Sequence, residues 1–283
     1  MVQTTKTDVL LDGLSYPEAP RWRNGKLWFS DFYLQRVMTL DLNGNAEIVV
    51  AMDGRPSGLG WTRKGELLVV SMLDRHLLRL EDGHFSTMAD LSAFATGPLN
   101  DMVVDTHGRA YVGNFGFDPH RGEQRRNACL ARVDPDGSIC RAADELVFPN
   151  GMVITPDAKT LIVAESTAFR LTAFDISADG ALSNRHIFAE LDKVCPDGIC
   201  LDAEGAIWVA NCRGNTMVRV FEGGRVERTI HTGERMSSAC MLGGADRQTL
   251  FMLTNTGSGV GMAQKRDGRI EILKVDVPGV GLP

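Results

Sequence analysis

Residues 196–212 read PDGICLDAEGAIWVANC: a polar anchor, a short apolar run, a polar turn holding Gly, then an apolar strand. The phrase recurs in both directions along the chain. Toward the N-terminus it returns as PNGMVITPDAKTLIVAES (149–166), LNDMVVDTHGRAYVGN (99–114), PSGLGWTRKGELLVVS (56–71) and PEAPRWRNGKLWFSD (17–31). Toward the C-terminus it returns as SSACMLGGADRQTLFMLTN (237–255). The second position of each copy gives the anchors Glu18, Ser57, Asn100, Asn150, Asp197 and Ser238, spaced 39, 43, 50, 47 and 41 residues apart. Each phrase is followed by a segment of alternating apolar and polar residues, such as Arg36 to Asp41, His76 to Leu80 or Met217 to Phe221. That alternation is the period of a half-buried strand, and many of these segments run into Gly turns. No long stretch carries helical periodicity. About four short strands per unit of about 45 residues is the pattern of a propeller blade. The chain is therefore predicted to be all-β, a six-bladed β-propeller spanning 1–283 as a single domain. A helical solenoid is excluded by the strands, and a β-sandwich would not explain the anchor spacing. Asp8 to Asp12 precedes the first copy by too little to form a blade. It is expected to join the sixth blade as an outer strand and close the ring, which removes open edges.

Composition narrows the function. Thirty basic against 36 acidic residues give a net charge of −6, so a basic footprint for nucleic acid is not expected, nor a membrane-surface patch. Apolar runs last five or six residues, far below the ~20 that span a bilayer. The start, Met1 to Asp8, has no apolar core of a signal peptide. Six cysteines without a C-x-x-C read as reduced thiols of a cytoplasmic protein. Thirty glycines fit a turn-rich chain.

Innermost strands line a propeller's central channel, so residues at one phase of the repeat should share one radius. Four of the six anchors carry carboxylate or amide oxygens, and none is apolar. Such oxygens suit hard divalent cations. Asn and Asp are also turn formers, but Glu18 is not, and four oxygen-bearing anchors at one phase favour a shared site. The residues after the anchors are mostly small, which lets backbones approach at a crowded axis.

With YPEAPRW, LNDMVVDTHGRAYVGN, FPNGMVITPD and PDGICLDAEGAIWVA in place, the chain resembles the SMP-30/gluconolactonase/LRE family over nearly all its length. The resemblance implies a central channel holding one divalent metal cation, Ca²⁺ ahead of Mg²⁺, Mn²⁺ or Zn²⁺, bound by Glu18, Asn150 and Asp197. It implies that Asn100 lies beside the metal, on substrate or a metal-bound water, and that Asp197 serves as general base as well as ligand. The implied activity is metal-assisted hydrolysis of a lactone. Two other functions stay open: a phosphotriesterase-like hydrolase, and a calcium-binding regulator without catalysis. Strictosidine-synthase-like propellers share the architecture without this anchor set.

One departure bears on substrate. Sugar-lactone hydrolases of the family often carry Arg two residues before the Asn-Asp pair, where this chain has Pro98. Proline offers a sugar hydroxyl no donor. Met72, Phe115 and Phe117 are the nearby candidates to face substrate, although core packing between blades is the ordinary role of such aromatics. A less polar lactone or ester is expected as the small-molecule partner. The segment Phe115 to Asn127 (FGFDPHRGEQRRN) lies in the widest interval and reads as a lid over the channel mouth. Gly257 to Gly261 (GSGVG) reads as a loop of the sixth blade rather than a phosphate cradle, because no helical pattern follows it. No G-x-S-x-G elbow and no His pair at metal-ligand spacing occur.

Overall fold

A computed structural model describes residues 7–283, and the polar start Met1 to Lys6 lies outside the described residues. Six four-stranded antiparallel sheets succeed one another along the chain. Their innermost strands are Pro17–Arg23, Pro56–Trp61, Leu99–Val104, Pro149–Ile154, Pro196–Leu201 and Met236–Gly243. Each inner strand touches the next, and the sixth touches the first, so six blades close around one axis. The fold is nearly all β, as the repeat predicts. Tight hairpins join the strands of a blade. At Asn24-Gly25, for example, both residues have positive φ, 52° and 75°, as a two-residue turn matched to the strand twist requires.

The ring closes as expected. Asp8–Leu14 pairs antiparallel with Gly268–Lys274 and becomes the outermost strand of the sixth blade. The N-terminal segment thus finishes the sheet built by the chain's last three strands, in a pairing that shifts register between Val9 and Leu11 and again between Leu11 and Leu14.

Two of the three alternating segments turn out more buried than a half-solvated strand would be, while His76–Glu81 is half-buried as expected. Arg36–Leu40 and Thr216–Val220 are buried at all but their first residue. The reason is that a blade packs both of its faces against neighbouring blades. Polar members of the alternation are then buried with partners: Arg219 meets Asp202, Glu204 and Glu227. Trp208, Phe29 and Phe251 are fully buried between blades and belong to one apolar cluster.

Every inner strand breaks register with its neighbour at the anchor: Glu18/Arg21, Pro56/Leu59, Leu99/Met102, Pro149/Met152, Pro196/Ile199 and Ser237/Ala239. A bulge adds a residue to one strand and re-aims a side chain. Placed at one phase of all six blades, it departs from simple alternation where the anchors lie. The small residues that follow make room. A Cβ on Gly58 would lie 2.5 Å from the Met102 nitrogen, and one on Gly198 would lie 2.5 Å from the Ala239 Cβ. Neighbouring inner strands could not approach so closely with side chains there.

One local reading differs. A single turn of α-helix, Met262–Lys265, follows Gly257 to Gly261, where no helix is expected. It is four residues long, and the backbone N–H groups of all four bond back to the carbonyls of Gly259, Val260 and Gly261. Among the described residues no helix is long and apolar enough to cross a membrane.

Candidate functional site

The four oxygen-bearing anchors converge. Glu18, Asn100, Asn150 and Asp197, all buried, line a cavity of about 320 Å³ at one end of the channel. The two serine anchors do not join them. Ser238 donates its hydroxyl to the Pro17 carbonyl at 2.9 Å, bracing the sixth blade against the first. The Ser57 carbonyl accepts from Ser30 Oγ at 2.7 Å, bracing the first against the second.

Hydrogen bonds orient the amides. Asn100 Nδ2 donates to the Pro149 carbonyl at 3.0 Å and Asn150 Nδ2 donates to Ser166 Oγ at 3.2 Å. In both cases the amide nitrogen is engaged, which leaves the oxygen as the amide's uncommitted donor atom for a cation. Asn150 also hydrogen-bonds the Asp197 carboxylate. Glu18 accepts the Ala19 N–H at 3.2 Å, with Ala19 held at a φ of 48°, an uncommon conformation for a residue with a Cβ.

Both carboxyls are electrostatically uncomfortable. Burial pushes Glu18 well above the usual carboxylate range, and the charges of Asp197 and Asp101 push further. Burial likewise raises Asp197, with Cys195 and Asp101 adding to it. Arg21 is the nearest cation to Glu18, but its guanidinium is spent on Asp101 at 2.6 Å and on the Leu59 and Met102 carbonyls. Asp101 therefore ties blade one to blade three and is not part of the cavity lining.

Two further repeat positions build the mouth. One is the residue just before the inner strand, the other the residue just after the second strand. In five blades the N–H of the latter donates to the carbonyl of the former: Phe32 to Tyr16, Met72 to Arg55, Phe115 to Pro98, Ser166 to Phe148 and Cys212 to Cys195, at 2.9–3.1 Å. Tyr16, Phe32, Arg55, Met72, Phe115, Phe148 and Cys212 from these positions face the cavity. Phe115 stacks on Phe148 with ring centroids 4.3 Å apart. Phe117 is buried and edge-on to Phe148 at 5.9 Å, so it backs that wall without lining the cavity. Pro119, from the Phe115–Asn127 segment, reaches the lining, as does Ser258 of the glycine-rich loop. Tyr33 joins them, its hydroxyl accepting the Gly259 N–H at 2.8 Å. Cys212 Sγ lies 3.2 Å from Cys195 Sγ, and both are free thiols.

The anchors were legible from the sequence, whereas Tyr16, Tyr33, Arg55, Phe148 and Arg213 were not singled out. A signal existed for three of them. Tyr16, Arg55 and Phe148 each stand immediately before the proline that opens a repeat phrase.

Among the described residues no three His, Cys, Asp and Glu side chains form a metal cluster. Only two carboxylates face the cavity, and the remaining anchor oxygens are amides. The donor set nevertheless fits a hard cation: two buried carboxylates that repel one another, two amides whose nitrogens are engaged elsewhere, and no cation in an ion pair with either carboxylate among the described residues.

Comparison with known proteins agrees with this architecture. Residues 16–256 match the SMP-30/Gluconolactonase/LRE-like region. Regucalcin of Xenopus laevis is 28% identical over 83% of this chain and 81% of its own length. A pentonolactonase of Haloferax volcanii is 27% identical over 99% of this chain and 97% of its own. The crystal structure of a calcium-binding protein, regucalcin, from Agrobacterium tumefaciens superposes with a TM-score of 0.82 at 20% identity, over 98% of this chain and 96% of that one.

Proposed function

Because this chain belongs to the SMP-30/gluconolactonase/LRE-like family, we propose that it is a metal-dependent lactonase whose reaction takes place at Glu18, Asn100, Asn150 and Asp197. The observation that carries the reading is the convergence of two buried, mutually repelling carboxylates with two amide side chains in one cavity. A relative named for lactone hydrolysis and others named regucalcin support an enzyme that uses a divalent cation.

Glu18, Asn150 and Asp197 would hold the cation, with Ca²⁺ favoured, and when bound it supplies Lewis acidity to the lactone carbonyl. The protein supplies the rest. Asp197, a buried carboxylate in the cavity lining, takes the proton from the attacking water. Asn100 has its nitrogen fixed on Pro149, so its oxygen accepts a hydrogen bond from that water and sets its direction. Tyr16 keeps its proton, since burial and then the charges of Asp197 and Glu18 raise its phenol well above its ordinary value. It is a neutral donor beside the carboxylates. The aromatic walls exclude bulk water, which strengthens each of these interactions.

Wall chemistry also speaks to substrate. Tyr16, Phe32, Tyr33, Phe115 and Phe148 contribute rings, and Met72 and Met236 contribute thioethers. A lactone with an apolar or aromatic frame fits this lining better than a polyhydroxylated sugar lactone, the direction in which Pro98 also points. The deciding experiment is a panel of sugar and aromatic lactones with metal-stripped protein reloaded with Ca²⁺, Mg²⁺, Mn²⁺ or Zn²⁺. Metal-dependent turnover, higher for aromatic lactones, is expected. Metal binding without turnover of any lactone would instead identify a cation-binding protein.

A further inference from the structure

Two cations at the cavity mouth stand in no ion pair among the described residues. Arg55 and Arg213 line the cavity, yet neither makes an ion pair or a side-chain hydrogen bond among the described residues. Elsewhere many arginines are ion-paired, Arg21 with Asp101, Arg109 with Asp105, Arg170 and Arg185 with Glu165, Arg219 with three carboxylates, while others, Arg23 and Arg225 among them, rest on aromatic rings at the surface of the blades. Carboxylates are not scarce, with 36 acidic residues against 30 basic. What sets Arg55 and Arg213 apart is their place in the lining of the cavity.

Arg55 is also positioned. Gly54, before it, packs so closely on Ser71 and Asp74 that a Cβ there would lie 2.2 Å from Ser71 Oγ. Pro56, after it, restricts its backbone to extended conformations. Its carbonyl accepts the Met72 N–H at 2.9 Å. From this fixed base the half-buried guanidinium lies 4.8 Å above the Tyr33 ring, and Tyr33 is itself tethered to Gly259. A guanidinium resting on an aromatic face keeps its planar edge and donors available for an anion. Arg213 approaches from the fifth blade, across the ring from the second that carries Arg55, and is exposed. The floor of the same cavity holds the opposite charge, Glu18 and Asp197, so the site is polarised from an anionic floor to a cationic rim.

We propose that the substrate is an anionic lactone, an unsaturated or aromatic ring system carrying a carboxylate, with Arg55 binding that carboxylate and Arg213 drawing it to the mouth. This rests on the lactonase reading and names its substrate class. The carboxylate released by ring opening does not account for the arginines, because it forms at the floor, among the anchors. A bidentate guanidinium–carboxylate pair fixes orientation as well as affinity, presenting the ester to the floor while the carboxylate stays at the rim.

The test uses one aromatic lactone, dihydrocoumarin, bearing either a carboxylate or its neutral carboxamide, with the metal-loaded protein. Wild type should favour the carboxylate in kcat/KM by roughly 10- to 100-fold, the range of charge-assisted hydrogen bonds. The preference should shrink with added salt. Arg55→Gln should collapse the ratio, chiefly through KM for the carboxylate. Arg55→Lys should restore it in part, since a point charge lacks the fork. Equal use of the two substrates by wild type, or a ratio unchanged by Arg55→Gln, overturns the proposal. Calorimetry of 3-phenylpropanoate against 3-phenylpropanamide needs no turnover. Tighter binding of the acid that is lost in Arg55→Gln upholds the rim even if no lactone reacts, in which case only the lactonase reading falls. No preference for the acid counts against the rim alone.

Discussion

Asp197 and Glu18 share a cavity and an upward push on their protons, but the proposed roles separate them. Asp197→Asn keeps an oxygen of similar size and removes the base. It should retain the cation and lose ~10²–10⁴-fold in turnover. Glu18→Gln removes one of two negative charges facing the cation, so it should weaken retention, and excess metal should restore its activity. Titrating each variant with Ca²⁺ while following turnover separates the two. If both recover alike, Asp197 is a ligand only. Asp101 is a poor substitute as base, because its carboxylate is committed to Arg21 and the Met102 N–H. Residue identity at the anchors was readable without coordinates because one repeat phase collected four oxygen-bearing side chains. The rim was not readable in the same way. Arg55 and Phe148 acquire meaning only when the backbone hydrogen bond between two repeat positions places them at the mouth.

At the level of elements, the strand Asp8–Leu14 carries ring closure, and its residues are unequal. Leu14 is 2% exposed within the main apolar cluster, whereas Val9 is 50% exposed on the outer edge. Leu14→Ala should destabilise by about 2–5 kcal/mol, the cost of a cavity at a buried leucine. Val9→Ala should stay within about 0.5 kcal/mol. Urea denaturation of the two variants checks this, and equal losses would show that the strand contributes through its ladder rather than through packing. The existence of this strand was evident from a short apolar run too close to the first repeat to make a blade. The burial of Arg36–Leu40 and Thr216–Val220 was not evident. Alternation reports which residues differ between two faces, and only blade-on-blade packing makes both faces interior.

Charge balance ties the whole molecule to its cation. Glu18 and Asp197 titrate higher in the folded protein than in the unfolded chain, first because they are buried. Such groups stabilise the fold fully below their unfolded values, near about pH 4, and that contribution is lost as pH rises through the folded values. A bound cation supplies the missing positive charge and lowers both, reversing the penalty. The difference in Tm between Ca²⁺-loaded and metal-stripped protein should therefore widen as pH rises from about 4 toward neutrality. Carboxylates elsewhere contribute equally to both forms and cancel. Scanning calorimetry with Ca²⁺ or with a chelator measures it, and a difference independent of pH would mean that no cation binds at these carboxyls. In Glu18→Gln the widening should be smaller, with one titrating group left.

The repeat phrase by itself determined six blades, the ring-closing strand and the four polar anchors. Each of these follows from periodicity, and periodicity is a property of the chain as written. The tertiary structure alone decided which anchors share the cavity and which brace the ring. Ser57 and Ser238 stand at the same phase as Asn100 and Asn150, yet the short Ser238 side chain gives its hydroxyl to the Pro17 carbonyl, and Ser57 braces the ring through its main-chain carbonyl. It also decided that Asp101, one residue from Asn100, faces away to Arg21, because each inner strand shifts register at its anchor and sends successive side chains to different neighbours. The cationic rim likewise depends on two blades on opposite sides of a ring meeting at one mouth. No local pattern encodes that meeting, since it arises from closure of the ring.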